Sequence, residues 1–170
     1  RDTVSGSKNE LSKEIKMRKV HEFTIALADI DSAAEKLSEA FLFRSLEHYA
    51  HHPHEYFDPM ESSIVRDDYH EGRHVLFREL HFGKTKVNDR VYFPDHLTMV
   101  TEVDGCDDYP ASRMTIFIES ACVRFLYEQD CDSELDEDIY LGLRRKAYEQ
   151  KDRELLERIV ENSKKSESFL

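Results

Sequence analysis

Cysteine is scarce in this sequence of 170 residues, and its three cysteines form no familiar pattern. Cys106, Cys122 and Cys131 are an odd number, and no two of them have the C-x-x-C spacing. The pattern therefore indicates neither a framework of disulfides nor a thiolate zinc site. Unpaired cysteines are typical of a reducing compartment, so we expect a cytoplasmic protein.

Long apolar runs are missing as well. No segment approaches the roughly 18 to 20 apolar residues that a membrane-spanning helix needs, and residues 1–19 lack the apolar core of a secretory signal. Neither G-x-x-x-x-G-K nor G-x-G-x-x-G occurs among the five glycines, so a nucleotide-binding loop is not expected. No G-x-S-x-G elbow is present either, which leaves nucleophilic catalysis without support.

Positive charge is also in deficit. The 24 basic residues face 36 acidic ones, a net charge of −12, and this field repels phosphate backbones and anionic lipids. We therefore expect neither nucleic acid nor membrane as the main partner. Hydrophobic residues make up 39% of the chain, with ten Phe and eight Tyr to fill an interior. A chain of this length buries roughly two-thirds of its unfolded surface, which favours one domain with one core.

The first regular element is predicted near His21. Residues 1–19 are rich in Lys, Glu and Ser, and we interpret them as an extension that is flexible or lightly docked. Beyond them Phe23, Ile25 and Leu27 recur at every second position. That period is typical of a half-buried strand, so strand one begins here.

A broken helix is predicted after this strand. Ser32 followed by Glu35 has the spacing of a capping box, which predicts a helix from there to about His48. Pro53 and Pro59 then interrupt the chain, because proline lacks an amide donor and restricts the residue before it. A second short helix or turn is expected between the two prolines.

The remainder reads as strands followed by one long helix. Residues 60–131 form short alternating segments separated by turn residues, which predicts six antiparallel strands. Residues 135–162 carry apolar side chains spaced in fours, typical of a helix with one buried face. Those side chains are Ile139, Leu143, Ala147, Leu155 and Ile159. We predict an α+β fold in which a curved seven-stranded antiparallel sheet wraps the C-terminal helix, with a single domain over residues 20–165 and a frayed tail at 166–170.

Turn positions also predict the register of the hairpins, because cross-strand partners share a face. A two-residue turn at Gly83 and Lys84 pairs Leu80 with Val87, Arg78 with Asp89 and Leu76 with Val91. A loop at residues 94–96 then sets Val91 against Met99 and Asp89 against Thr101. Later turns bring Met114, Ile116 and Ile118 alongside Val123, Phe125 and Tyr127.

Four polar side chains fall on the apolar inner face: Arg78, Asp89, Thr101 and Tyr127. A buried charge is costly unless it is paired or hydrated, and Arg78 can pair with Asp89 across the strands. One interpretation is an ion pair that only fixes the register. The other is a cavity in which these groups orient a ligand, with Asp89 as base, Tyr127 as acid and Arg78 as oxyanion partner.

Three segments resemble a fungal and bacterial subgroup of the SRPBCC superfamily. They are L-F-R-E-L-H-F-G-K-T-K-V-N-D-R-V at 76–91 followed by Y-F-P-D-H-L, A-x-x-P-x-x-Y-F-x-P at 50–59, and R-F-L-Y-E at 124–128. This superfamily includes START lipid-transfer domains, the birch-pollen allergen and polyketide aromatase/cyclases. The resemblance runs from His21 to the end of the last helix and implies the helix-grip fold with an internal cavity, without naming a reaction.

The expected function is binding of a small apolar or aromatic metabolite, with conversion by a cofactor-free cyclase, aromatase or lyase in specialised metabolism. The predicted catalytic residues are Arg78, Asp89 and Tyr127. The predicted ligand-binding residues are Leu76, Leu80, Val91, Met99, Thr101, Met114, Ile116, Phe125 and Leu143. The alternatives are a non-catalytic carrier, and a protein-interaction module that uses the acidic surface or residues 1–19. A homodimer is compatible with each of these.

A histidine-rich corner is the densest group of metal-ligand types. His48 and His52 are spaced i, i+4 and would share one face of a helix. No H-E-x-x-H or other complete metal signature is present, and clustered histidines at a helix end are common without function. We therefore predict a solvated corner without a metal, with metal binding as the alternative. The corner comprises His48, His51, His52 and His54, with Glu55 and Asp58 nearby.

Overall fold

Seven antiparallel strands form a single curved sheet in the computed structural model, which describes residues 16–132 and 138–167. The order across the sheet is β1-β7-β6-β5-β4-β3-β2, so the first strand closes against the last and the other six form a meander. The strands are β1 (Met17–Ala26), β2 (Ser62–His70), β3 (Arg73–Phe82), β4 (Thr85–Asp95), β5 (Thr98–Val103), β6 (Ser112–Glu119) and β7 (Cys122–Asp130).

Three helices accompany the sheet within the described residues: α1 (Leu27–Ile30), α2 (Glu39–His51) and α3 (Asp138–Glu167). Short 3₁₀ helices at Ser32–Lys36 and Pro53–Glu55 lie before and after α2. The predicted α+β architecture, with a seven-stranded sheet around a long C-terminal helix, is confirmed. No helix in these described ranges is long and apolar enough to cross a membrane.

The chain enters the sheet earlier than expected. β1 begins at Met17 rather than near His21, so part of the predicted extension is strand. Residues 1–15 lie outside the described residues, as do 133–137 and 168–170. At the other end α3 continues through Glu167, beyond the predicted start of a frayed tail.

The capping box predicted at Ser32 is wrong. Asp31 caps the 3₁₀ helix instead, accepting a 2.9 Å hydrogen bond from the amide of Ala33. The chain is then extended at Leu37, and a second cap starts α2, where Ser38 Oγ accepts from the amide of Phe41 at 3.1 Å. Each capping residue therefore starts an element of its own, and the extended backbone at Leu37 separates the two.

The hairpin registers are confirmed at two of the three predicted turns. β3 and β4 pair Arg78 with Asp89 as expected, and β6 and β7 pair Met114 with Tyr127. The β4–β5 register is wrong by two residues, since Asp89 lies opposite Val103 and not Thr101. The turn lies at His96 and Leu97 rather than at residues 94–96, and an irregularity between Tyr92 and Asp95 shifts the pairing back by one residue. A slip of two residues preserves the face of every side chain, so the inner face is still correct.

The buried face of α3 differs from the predicted row. Ile139 is 75% exposed and Leu143 is 60% exposed, whereas Leu155 and Ile159 are buried. A strict spacing of four residues overshoots each turn by about 40°, because the helix has 3.6 residues per turn. The predicted series of side chains, from Ile139 to Ile159, therefore passes from the solvent-exposed side of the helix to the side that faces the core. Leu156 and Val160 complete the buried surface that packs against the sheet.

Long basic side chains anchor α3 at its flanks. Arg145 Nε donates to the carbonyl of Val20 in β1 at 2.9 Å, and Arg153 Nη2 donates to the carbonyl of Asp29 in α1 at 3.1 Å. Lys164 forms an ion pair with Asp31. These contacts hold the helix over the concave face of the sheet.

Candidate functional site

A cavity of about 260 Å³ lies between the concave face of the sheet, α2 and α3. This volume is just below the roughly 300 to 1,000 Å³ of pockets that hold drug-sized ligands, which points to a smaller metabolite. Its apolar lining comes from strands and from the chain after α2, including Phe57, Met60, Leu80, Val87 and Met114. The site is therefore a largely apolar pocket with a few polar groups.

Half of the predicted site residues line this cavity: Arg78, Asp89, Tyr127, Leu80, Thr101 and Met114. Five others, all at most 2% exposed, lie in the packed core outside the lining: Leu76, Val91, Met99, Ile116 and Phe125. These five share the inner face, but the cavity occupies only part of that face. Leu143 does not line this cavity and lies on the exposed side of α3.

Arg78 and Asp89 form a bidentate ion pair across β3 and β4. Arg78 Nε and Nη2 each donate to a different oxygen of Asp89 at 2.7 Å, and the side chains are 5% and 3% exposed. Arg78 Nη1 also donates to the carbonyl of Ala50 in α2 at 3.0 Å. Because both oxygens of Asp89 accept from the guanidinium, Asp89 is better suited to hold Arg78 than to take a proton from a ligand.

A second buried polar pair was missed by the sequence analysis. Tyr127 in β7 donates its hydroxyl proton to Asp152 Oδ2 in α3 at 2.5 Å, and Asp152 is fully buried. Asp152 lies in a charged stretch that resembles a solvated helix face. The spacing of Asp152 could have revealed that it is buried. Asp152 lies four residues after Tyr148 and four before Leu156, on the side of the helix that faces the sheet.

The protonation of this pair follows from its surroundings. Burial raises the pKa of Asp152 from 3.8 to about 6, although Lys151 and the hydrogen bond from Tyr127 act in the opposite direction. Burial also raises the pKa of the Tyr127 phenol well above its usual 10, and the charge of Asp152 adds to this effect. Tyr127 therefore stays protonated near neutral pH, while Asp152 can exchange a proton.

Aromatic rings form one wall beside this pair. The rings of Tyr127 and Tyr148 stack with centroids 3.8 Å apart and an interplanar angle of 8°. The ring of Phe23 in β1 is nearly parallel to that of Tyr127, with a centroid distance of 6.3 Å. Arg144 Nε donates to the Tyr148 hydroxyl at 2.6 Å and fixes the outer ring. The flat packing restricts the Tyr127 hydroxyl to one position at the cavity.

The charge of the lining is opposite to that of the whole protein. Four cationic side chains line the cavity, whereas only two carboxylates do, Asp89 and Glu128. Glu128 pairs with Arg113 at 3.0 Å. Lys151 Nζ lies 3.9 Å from Oδ1 of the buried Asp152. The guanidinium and ammonium groups at the wall are hydrogen-bond donors, which suits a guest that carries an oxygen acceptor. The four cations are Arg78, Arg113, Arg144 and Lys151.

Thr101 supplies an open hydrogen-bonding group. Its Oγ1 is buried at the cavity wall and has no hydrogen-bond partner among the described residues. Buried polar atoms are nearly always paired, so an unpaired hydroxyl facing a cavity is suited to a bound molecule.

A second depression, of about 420 Å³, lies on the opposite face of β2, β3 and β4 and is more open to solvent. Its charged groups already have partners, since Arg90 Nη1 lies 2.8 Å from Asp104 Oδ1 and Arg66 Nη1 lies 2.5 Å from Asp68 Oδ2. Exposed pairs of this kind belong to a solvated sheet face. The cavity between the sheet, α2 and α3 is therefore the candidate site.

The sheet, the long helix and the pocket between them define the helix-grip class of fold, as the sequence resemblance predicted. Within that class, residues 22–166 match the family model of AtaL, acetylaranotin biosynthesis cluster protein L, and the chain belongs to this family. Among curated proteins, none has a matching sequence.

Solved structures share the fold at low sequence identity. The di-domain ARO/CYC StfQ from the steffimycin biosynthetic pathway aligns over 95% of this chain at 8% identity, with a TM-score of 0.59. The di-domain ARO/CYC BexL from the BE-7585A pathway aligns over 92% at 10% identity, with a TM-score of 0.57. This chain spans only 56% and 57% of the lengths of those two proteins. A START superfamily protein from Mycobacterium smegmatis aligns over 85% of this chain and 97% of its own length, at 15% identity and a TM-score of 0.48.

Proposed function

We propose that this protein binds a small aromatic or apolar metabolite in the cavity and converts it by cofactor-free acid–base chemistry of the cyclase, aromatase or lyase type. The observation that carries the proposal is the Tyr127–Asp152 pair at the wall of the same cavity that Arg78 lines. A proton-exchanging group and a fixed cation in one enclosed pocket are the two parts that such chemistry needs.

The proton-transfer step begins at Tyr127. Its hydroxyl oxygen takes a proton from a carbon next to a carbonyl of the substrate, while its own proton moves along the hydrogen bond to Asp152. Asp152 is fully buried, so it acts through Tyr127 and does not touch the substrate. The electron pair left on the substrate becomes an enolate, and the protonated Asp152 is then available to return the proton.

Arg78 stabilises the negative charge that forms on the carbonyl oxygen. Its guanidinium is held in place by Asp89 and by the carbonyl of Ala50, so it need not reorient during the reaction. In a dehydration, the proton stored on Asp152 returns through Tyr127 to a leaving hydroxyl, which departs as water. Aldol closure and loss of water together would convert a linear polyketone into an aromatic ring.

The descriptions of the relatives motivate this type of reaction. The family model carries the description of a biosynthesis cluster protein, and two solved proteins of the same fold are aromatase/cyclases of biosynthetic pathways. Sequence identities of 8% and 10% support a shared fold but not a shared reaction. The proposed reaction is therefore argued from the residues of this chain.

The test uses 2-tetralone, a bicyclic ketone with a fused benzene ring whose α-protons exchange with D₂O, and the rate without protein is the reference. Exchange in D₂O is followed by NMR with the wild type, Tyr127→Phe and Asp152→Asn, and binding is measured separately by calorimetry. Faster exchange with the wild type that is lost in both variants supports the proposal. Binding of 2-tetralone without faster proton exchange would favour the non-catalytic carrier function instead. Failure to bind 2-tetralone, 2-naphthol or any other small bicyclic ligand would overturn both.

A non-catalytic carrier is the second candidate, because most of the wall away from Tyr127 and Arg78 is apolar. A carrier needs the cavity but not the buried acid. Asp152→Asn would then leave the natural function intact, and a small molecule would be recovered from the natively purified protein by mass spectrometry.

A further inference from the structure

The end of α2 brings three potential metal ligands together outside the cavity. His48 and His52 lie one turn apart, and their ring centroids are 4.6 Å apart. Glu55 follows in the 3₁₀ helix Pro53–Glu55, and its Oε2 lies 3.4 Å from His52 Nδ1. One ligand atom from each of these three side chains lies within 4.8 Å of the other two.

These separations are close to those of a tetrahedral metal site. Zinc bonds of about 2.0 to 2.1 Å place two ligand atoms roughly 3.3 Å apart. The distance between His52 and Glu55 already matches this value. All three side chains are exposed, so His52 and Glu55 can close the remaining gap to His48 by rotation without disturbing the core.

His48 is also held in the way that a metal-bound histidine is held. Its Nδ1 lies 2.6 Å from the hydroxyl of Tyr56, a buried residue whose ring packs edge-on against Tyr49. Metal-ligating histidines nearly always have their second ring nitrogen in a hydrogen bond, which fixes the tautomer and the ring orientation. With Nδ1 engaged by Tyr56, Nε2 of His48 is left to face an ion.

We propose that His48, His52 and Glu55 form a binding site for a divalent transition-metal ion, with zinc as the ion tested below. Two imidazoles and one carboxylate suit zinc, nickel or copper, whereas magnesium and calcium prefer oxygen ligands alone. Water completes the coordination, because the three side chains are exposed. This replaces the prediction from sequence of a metal-free corner and does not rest on the proposed function.

The site is connected to the cavity through two neighbouring residues. Ala50, between the two histidines, accepts the hydrogen bond from Arg78 that helps to hold the guanidinium. Pro53, between His52 and Glu55, lines the cavity. An ion bound here ties the last turn of α2 to the 3₁₀ helix after it, and so stabilises the segment that positions Arg78.

The other two histidines of the corner are directed elsewhere and provide matched controls. His51 Nδ1 lies 2.8 Å from the carbonyl of Glu47. His54 Nδ1 lies 3.0 Å from Ser63 Oγ. Replacing either one removes an imidazole from the same corner but leaves the proposed ligands in place.

The experiment titrates the full chain, free of any purification tag, with zinc chloride in a calorimeter, and repeats the titration with magnesium chloride. We expect one zinc ion per chain and no magnesium binding. His52→Ala should weaken zinc binding at least about tenfold, and Tyr56→Phe, which removes the partner of His48, should weaken it by about tenfold as well. His54→Ala should bind as the wild type does.

Folding of each variant is checked by its melting temperature without zinc. His52 is about half exposed, so His52→Ala should melt close to the wild type. A separate variant, Cys131→Ser, tests the Asp130, Cys131 and Asp132 group, whose ligand atoms also lie close together. The proposal is overturned if the wild type does not bind zinc, if His52→Ala binds zinc as tightly as the wild type, or if His54→Ala or Cys131→Ser weakens binding as much as His52→Ala does.

Discussion

The hydroxyl of Tyr127 on the last strand donates a 2.5 Å hydrogen bond to Asp152 on the long helix, and the two residues are 25 positions apart in sequence. The bond crosses from the sheet to the helix inside the core. It joins a group that lines the cavity to an acid that solvent does not reach.

Removing the phenol should separate catalysis from binding. Tyr127→Phe is expected to lower turnover by about 10²- to 10⁴-fold, because the general acid–base group is lost, and to weaken ligand binding far less. It should also destabilise the fold by about 1 to 3 kcal/mol, since the buried Asp152 loses its partner. Exchange kinetics and chemical unfolding measure the two effects. Tyr148→Phe, which keeps a stacked ring and the Tyr127–Asp152 bond, should retain turnover.

The raised pKa of Asp152 predicts a specific pH dependence of stability. Between about pH 4 and pH 6 the folded state keeps this proton more tightly than the unfolded state does, so Asp152 lowers stability as the pH rises through that window. The difference between 3.8 and about 6 corresponds to about 3 kcal/mol. Wild type and Asp152→Asn are unfolded with urea across this range. The stability of the wild type relative to the variant should fall with rising pH and then level off. A constant or rising difference would contradict the buried, high-pKa acid.

The buried ion pair predicts an asymmetry between single and double variants. Asp89→Ala leaves Arg78 without its counter-charge and should cost about 3 to 5 kcal/mol of stability. Replacing both with Met and Leu should restore stability but not turnover, since the oxyanion partner is gone. Asp104→Ala, which breaks an exposed pair on the outer face, should cost no more than about 1 kcal/mol.

The unpaired hydroxyl of Thr101 predicts opposite effects on stability and on binding. Thr101→Val removes a buried group that has no partner among the described residues, so stability should be unchanged or slightly higher. Ligand affinity should fall, because one hydrogen bond of about 0.5 to 1.5 kcal/mol is lost. Calorimetry with the bound metabolite checks this. Thr115→Val, at a buried position outside the cavity lining, should leave affinity unchanged.

Shortening a leucine side chain to alanine should have different effects on the two sides of α3. Leu156→Ala removes a buried side chain and is expected to cost about 2 to 5 kcal/mol. Leu143→Ala, on the exposed side, should change stability by less than about 0.5 kcal/mol and leave ligand binding intact. If Leu143→Ala lost ligand binding, that result would support the prediction from sequence that Leu143 contacts the ligand.

Local sequence features were sufficient to predict the strands of the sheet and its inner face. The turn at Gly83, where φ is +59°, fits a two-residue connection, and this alone set the pairing of Arg78 with Asp89. The inner face survived even the two-residue error between β4 and β5, because side chains alternate with a period of two. The helix face was harder to predict, since a small error in period accumulates over the 30 residues of α3.

From its sequence alone, then, the chain determines seven strands, a long terminal helix and which strand residues point inward, because turns and side-chain alternation are local properties. Tertiary structure decided the rest. Where the helix crosses the sheet determines that the cavity reaches Arg78 and Thr101 but not Met99. The same packing buries Asp152 against Tyr127, and this relationship depends on a distance between two segments that no spacing along the chain records.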